Sequence, residues 1–176
     1  MRRYEDKLRE RQDQGENWYN LRSCAYYEEF EKPKLVYIYT AKKQEFYLDT
    51  EGRYINNNCY MIISDNKYLF FFLNSILFDW FKRIKFVAYG DADEAGRVKL
   101  DYNKMITVPI RQIPETRLKW FEQKYAEIKK SLSNQSRVKS LEQEVEIMLF
   151  KIYDLAYKEV KTVCPDFWLS QDEYEK

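Results

Sequence analysis

The chain has 176 residues, 30 Lys and Arg against 29 Asp and Glu, and no histidine. A formal net charge of +1 gives no global attraction to nucleic acid, so any basic surface has to be local. The absence of imidazole excludes a Ser-His-Asp triad, a Cys-His pair and a His-containing zinc site.

A hydrophobic fraction of 45% with 18% aromatics argues for a packed core, and the length suits one domain or one domain with a helical appendage. Cys24, Cys59 and Cys164 are odd in number and form no CxxC pair, so they are expected as buried thiols in a reducing compartment. The N-terminus MRRYEDKLRERQDQ is too charged for a signal peptide, and no apolar run is long enough to span a membrane. The expectation is a soluble, cytoplasmic protein.

Residues 2–14 read as a short solvated helix ended by Gly15. The aromatic run from Asn17 to Tyr39 leads through Pro33 into LVYIY, a strand over 35–39. Further strands are predicted over 45–48, 53–56 and 59–63, separated by the turn signals DTEG and NNN. Asp65 is the expected cap of one long helix whose Leu69, Phe72, Leu73, Ile76, Leu77, Trp80, Phe81 and Ile84 recur at helical spacing. The segment AYGDADEAGRVKL, residues 88–100, reads as a loop, and a last strand is predicted over 105–110.

Beyond Pro114 the pattern changes. Leu118, Phe121, Tyr125, Ile128 and Leu132, then Val138, Leu141, Val145, Met148, Ile152 and Leu155, alternate steps of three and four on either side of SNQS. This predicts an antiparallel helical hairpin with one apolar seam on each helix. The division expected is a globular domain over 1–114, a hairpin docking arm over 115–163 and a tail over 164–176. The class is an α/β fold of the α+β kind, with a small twisted, mostly antiparallel sheet, packed helices and the C-terminal hairpin.

Trp18, Leu21, Tyr26, Phe30, Leu35 and Tyr37 are expected at the core or its edge, since aromatics beside a β-run ordinarily pack. Arg22, Lys32, Lys34, Lys42 and Lys43 are candidate phosphate contacts on one face, and Arg53, Arg97 and Lys99 extend the set. Pairing with Glu28, Glu29 and Glu31 is the alternative use of Arg22, Lys32 and Lys34, and the residues alone leave both open. Pro114, Glu115, Glu127 and Lys129 superficially match a PD-ExK nuclease site, but the last two flank seam residue Ile128, so they read as solvated helix charges.

Five segments in order carry a resemblance: NWYNLRSCAYYEEFEKPKLVY (17–37), YINNNCYMI (54–62), YLFFFLNSILFDWF (68–81), ITVPI (106–110) and LEQEVEIMLFKIYDLAYKEVKTV (141–163). Together they resemble the C-terminal target-recognition, TaqI-like specificity domain of type IIG restriction-modification enzymes. The chain departs from the family pattern at Tyr153, Asp154, Leu155 and Ala156, where Tyr-Gly-Leu-Thr often stands. It also carries no Asn-Pro-Pro-Tyr-type methylation motif and no Gly-rich loop for S-adenosylmethionine. The resemblance implies double-stranded DNA as ligand, a methyltransferase or endonuclease domain or subunit as partner, and recognition without catalysis or cofactor. Base reading is expected from the 88–100 loop, with Arg97 on a guanine. A scaffold module working through the hairpin is the rival function, and a small carboxylate enzyme is the third.

Overall fold

The computed structural model describes residues 2–12, 14–20, 24–43, 45–86 and 97–176. After a 3-10 turn at Arg2–Tyr4 come α1 (Glu5–Arg9), a second 3-10 turn at Tyr27–Glu31, and strands β1 (Lys34–Ile38), β2 (Thr40–Ala41), β3 (Phe46–Asp49) and β4 (Cys59–Ile63). There follow α2 (Lys67–Leu73), α3 (Ile76–Lys85), β5 (Val98–Lys99), α4 (Tyr102–Met105), α5 (Glu115–Lys130), α6 (Gln135–Ile152), α7 (Tyr157–Val163) and α8 (Gln171–Glu175). The arrangement is α+β, as the sequence predicts.

The main sheet has the order β3-β1-β4, with both pairings antiparallel. Its register sets Leu35 opposite Leu48 and Ile62, and Tyr37 opposite Phe46 and Tyr60. Because side chains alternate along a strand, these residues share one face. That face meets the helices: Phe46 packs edge-on against Phe78 at 5.8 Å, and Phe78 lies 5.9 Å from Phe72. A second ladder, Thr40↔Lys99 and Ala41↔Val98, joins β2 to β5.

Several elements differ from expectation, each for a local or a long-range polar reason. The N-terminal helix stops at Arg9, and the Gln14 side chain turns back to donate to the Arg11 carbonyl at 2.8 Å. No strand forms over 53–56 because Asp49 accepts the backbone N–H groups of Glu51 and Arg53 at 3.0 and 2.8 Å, and Gly52 adopts φ +71°, so the chain turns. The expected single helix is two. Asn66, not Asp65, caps α2 by accepting from Leu69 N–H at 3.0 Å, and Ser75 caps α3 by accepting from Phe78 N–H at 3.1 Å. Between them the Asn74 amide pairs with both backbone groups of Phe46, at 2.9 and 3.0 Å, drawing the break toward the sheet edge. The predicted loop over 88–100 lies outside the described residues as far as 96, and its end forms β5. The predicted strand over 105–110 is absent; Asp101 instead caps α4 by accepting from Lys104 N–H at 3.1 Å.

Helices α5 and α6 form the expected hairpin, turned at Asn134, whose side chain caps α6 by accepting from Arg137 N–H at 3.1 Å. Lys124–Glu144 at 2.7 Å and Arg137–Glu127 at 3.4 Å bridge the two helices in antiparallel sense. The seam does more than close on itself. Phe121 is fully buried and lies 5.2 Å from Tyr68 and 6.0 Å from Phe71 of α2, so one hydrophobic core runs across residue 114. Residues 164–176 also enter it, through Phe167 and Tyr174.

The departure at 153–156 closes α6. Leu155 N–H donates to Phe150 O at 3.1 Å and Asp154 N–H to Lys151 O at 3.2 Å, a Schellman ending with Asp154 at φ +53° where glycine is usual. Arg111 holds that aspartate by an ion pair of 2.5 Å and also donates to Ile152 O. Helix α7 then starts without a threonine, because the Glu159 carboxylate accepts the Ala156 backbone N–H at 2.7 Å.

Candidate nucleic-acid interface

The β2–β5 ladder brings together cations distant in sequence. Thr40 faces Lys99 and Ala41 faces Val98, and continuing that register sets Lys42 beside Arg97. Lys42 and Arg97 are exposed, and Lys43 is exposed with its ammonium 2.9 Å from Glu45. The Lys99 ammonium lies 5.0 Å over the Tyr39 ring, which in turn packs 5.2 Å from Tyr60. Lys104 joins them, donating to the Lys99 carbonyl at 2.7 Å. Neither Lys104 nor Tyr39 was a candidate from sequence, because both reach this end of the sheet only through β5 and the α4 turn.

The opposite end of the sheet differs. Lys34 and Asp49 form an ion pair of 2.5 Å in which the side chains are 0% and 1% exposed, and Lys34 also donates to the Phe30 carbonyl. Burial alone would raise the Asp49 carboxyl, but the Lys34 hydrogen bond and the Glu51 and Arg53 N–H groups outweigh it and hold the pKa down to about 2. Lys34 is therefore corrected: its charge is sealed beneath the Tyr27–Glu31 turn, where no phosphate can reach it. Lys32 is exposed but pairs with Glu29 at 2.6 Å. Arg53 pairs with Asp49 at 3.1 Å and with Glu51, donates to the Tyr47 hydroxyl, and lies 5.9 Å over its ring.

The expectation of one basic face is corrected accordingly. Lys34 and Ile38 end a strand about 13 Å long, so Lys32, Lys34 and Arg53 sit at one end and Lys42, Lys43, Arg97 and Lys99 at the other. Arg22 lies outside the described residues, as does Leu21.

Other expectations sort by exposure. Leu35 and Tyr37 are core, Trp18 and Phe30 are half-buried, and Tyr26 is corrected to exposed. The three cysteines are free and half-buried rather than buried. Glu115 and Glu127 stand twelve residues apart on α5, about 18 Å along its axis, and they pair with Lys119 and with Lys124 and Arg137. They cannot share an ion, and among the described residues no three potential metal ligands converge.

A family model described as the TaqI-like C-terminal specificity domain matches residues 1–114. The chain belongs to this family. No curated protein matches the chain. The TaqI-like specificity domain of this chain contains both sheets and all eight candidate cations, while α5 to α8 lie beyond the matched residues. Among the described residues no helix is long and apolar enough to cross a membrane.

Proposed function

We propose that this chain is the sequence-specific DNA-recognition module of a type IIG restriction-modification system, acting on double-stranded DNA beside a methyltransferase or endonuclease domain or subunit that performs the chemistry. The observation that carries this reading is membership of the TaqI-like specificity family over 1–114. The basic end of the sheet supports it. Lys42, Lys43, Lys99 and Lys104 neutralise phosphates and fix register, and Arg97, at the entry to β5, reads a base edge, most simply guanine O6 and N7. Reading base edges needs no cofactor. The globular part over 1–114 does the reading, and the hairpin over 115–163 docks the catalytic partner.

The test is an anisotropy titration of the whole chain, with and without its methyltransferase, on cognate and random duplexes at two salt concentrations. Affinity should fall steeply with salt, and Lys42→Ala should weaken all duplexes alike while reducing the salt slope by about one ion. Arg97→Ala should cost about 1–3 kcal/mol on the cognate site and much less on random DNA. No binding at low salt in the presence of the methyltransferase overturns the reading.

A further inference from the structure

The run YYEEFE, residues 26–31, remains without a role in DNA reading. Tyr26, Tyr27 and Tyr54 are 56%, 59% and 55% exposed, unusual values for three neighbouring large rings. They form one surface: Phe30 lies 5.1 Å from Tyr54 and 5.8 Å from Tyr26, and Tyr27 lies 5.4 Å from Tyr54. Tyr47, 56% exposed, adjoins them through Arg53. The surface is fixed in place. The buried Lys34–Asp49 pair ties the turn at Tyr27–Glu31 to the sheet, and Gly52, where a Cβ would lie 3.5 Å from the Glu31 Cα, brings the Tyr54 segment against that turn.

The charge of the segments that carry these rings is acidic. Glu28, Glu29 and Glu31 share the 3-10 turn with Tyr27, Glu31 acts electrostatically on Tyr54, and Glu51 lies just before it, against the exposed cations Lys32 and Arg53, which are already paired with Glu29 and Glu51. Among the described residues Glu28 and Glu31 have no ion pair, and both are exposed. Such a surface repels phosphate, in contrast to the Lys42–Lys99 region of the β2–β5 sheet.

We propose that the Tyr26–Tyr27–Tyr54 surface with Glu28 and Glu31 is a docking site for a partner protein that presents arginine side chains. A guanidinium stacks flat on a tyrosine ring and pairs with a carboxylate in the same plane, which an ammonium does less well. The molecule contains this arrangement internally: the Arg53 guanidinium covers Tyr47 while bonding Glu51. Tyrosine with arginine is also a pairing that protein interfaces favour. The site is independent of DNA binding and lies at the end of β1 away from the β2–β5 sheet, so the module holds a protein on one side and a duplex on the other.

The probe is a synthetic peptide of five Arg-Gly repeats, with five Lys-Gly repeats as comparison, titrated into the whole chain while the tyrosine ring resonances are followed. The Arg-Gly peptide should bind several-fold more tightly and shift the Tyr27 and Tyr54 signals. The double change Tyr27→Ala, Tyr54→Ala should weaken it about tenfold, and Glu28→Gln, Glu31→Gln, both at exposed positions, should weaken it several-fold, with duplex affinity unchanged in each. Three results overturn the proposal: peptide affinity indifferent to both double variants, loss of duplex affinity with either, or self-association of the chain that the tyrosine changes abolish. The first means diffuse electrostatics, the second a DNA contact, the third a second copy as occupant. Failure of the DNA reading would appear instead as loss of salt-dependent duplex binding with peptide binding intact.

Discussion

Two buried charges differ because one is fully partnered and the other is not. Lys34 and Asp49 satisfy each other, and the remaining lone pairs of Asp49 take the Glu51 and Arg53 N–H groups. Removing one partner leaves an uncompensated charge, so Lys34→Ala is expected to destabilise the fold by about 3–5 kcal/mol, read as a large drop in melting temperature. A phosphate contact would behave oppositely, with weaker DNA binding and unchanged melting. Glu146 has no such compensation. Its Oε1 accepts Ile76 N–H at 3.0 Å at the start of α3, but its Oε2 is buried with no hydrogen-bond partner among the described residues. Burial first, and then Glu142 nearby, push its carboxyl up to about 7 against the opposing Ile76 bond. A raised carboxyl stabilises the fold while protonated, fully below its ordinary value near 4.5, and that contribution is lost as pH rises through about 7. Glu146→Gln keeps the acceptor without the charge. Chemical denaturation should show the variant gaining on the native chain between pH 5 and pH 8 by up to about 3 kcal/mol; parallel pH profiles would remove Glu146 as the cause.

Among the elements, those with strong apolar periodicity are helical as expected, although the first of them is split at Asn74 into α2 and α3, and those predicted from β-branched content alone did not all form. Helices α5 and α6 follow from seams whose residues recur at three and four, and the bridges at 124–144 and 127–137 set Phe121 level with Val145. Val145 is 3% exposed in the shared core, so Val145→Asp should cost a few kcal/mol through a buried, unpaired carboxylate. Because the seam packs on α2 as well as on its partner helix, thermal unfolding should remain a single transition at lower temperature rather than a separate melting of the hairpin. The segment 105–110 reads as strand on ITV, yet the Asp101 cap and the Thr107 hydroxyl, donating to Lys104 O at 2.7 Å, commit it to a helical turn. The residues 53–56 likewise yield to the Asp49 turn. In both, a side chain satisfies the backbone locally and no ladder partner is left to compete.

Across the whole molecule, a near-zero net charge conceals two unlike regions, one on the two-stranded β2–β5 sheet and one at the far end of the three-stranded sheet. The basic end is assembled by the β2–β5 ladder, which joins residues near 42 to residues near 97, and the acidic aromatic end by the turn folded over Lys34. Sequence alone determined the absence of imidazole chemistry, the α+β class, strands β1, β3 and β4, and the hairpin with its seam except for Leu132, which lies beyond α5 and is exposed, because each depends on residue type or on a period readable within a few turns of chain. It also determined the family resemblance, carried by segments in a fixed order. Only the tertiary structure decided which cations face water. Alternation places Lys34 on the face opposite Leu35, where a strand lysine ordinarily points to solvent, and nothing near it in sequence shows that the Tyr27–Glu31 turn and Asp49 will cover it. The helix break at Asn74 is of the same kind, since its partner, the Phe46 backbone, is 28 residues away. Hydrophobic periodicity is a local property of the chain, whereas accessibility and ion pairing are set by which distant segments pack together, and that information appears only once the chain has folded.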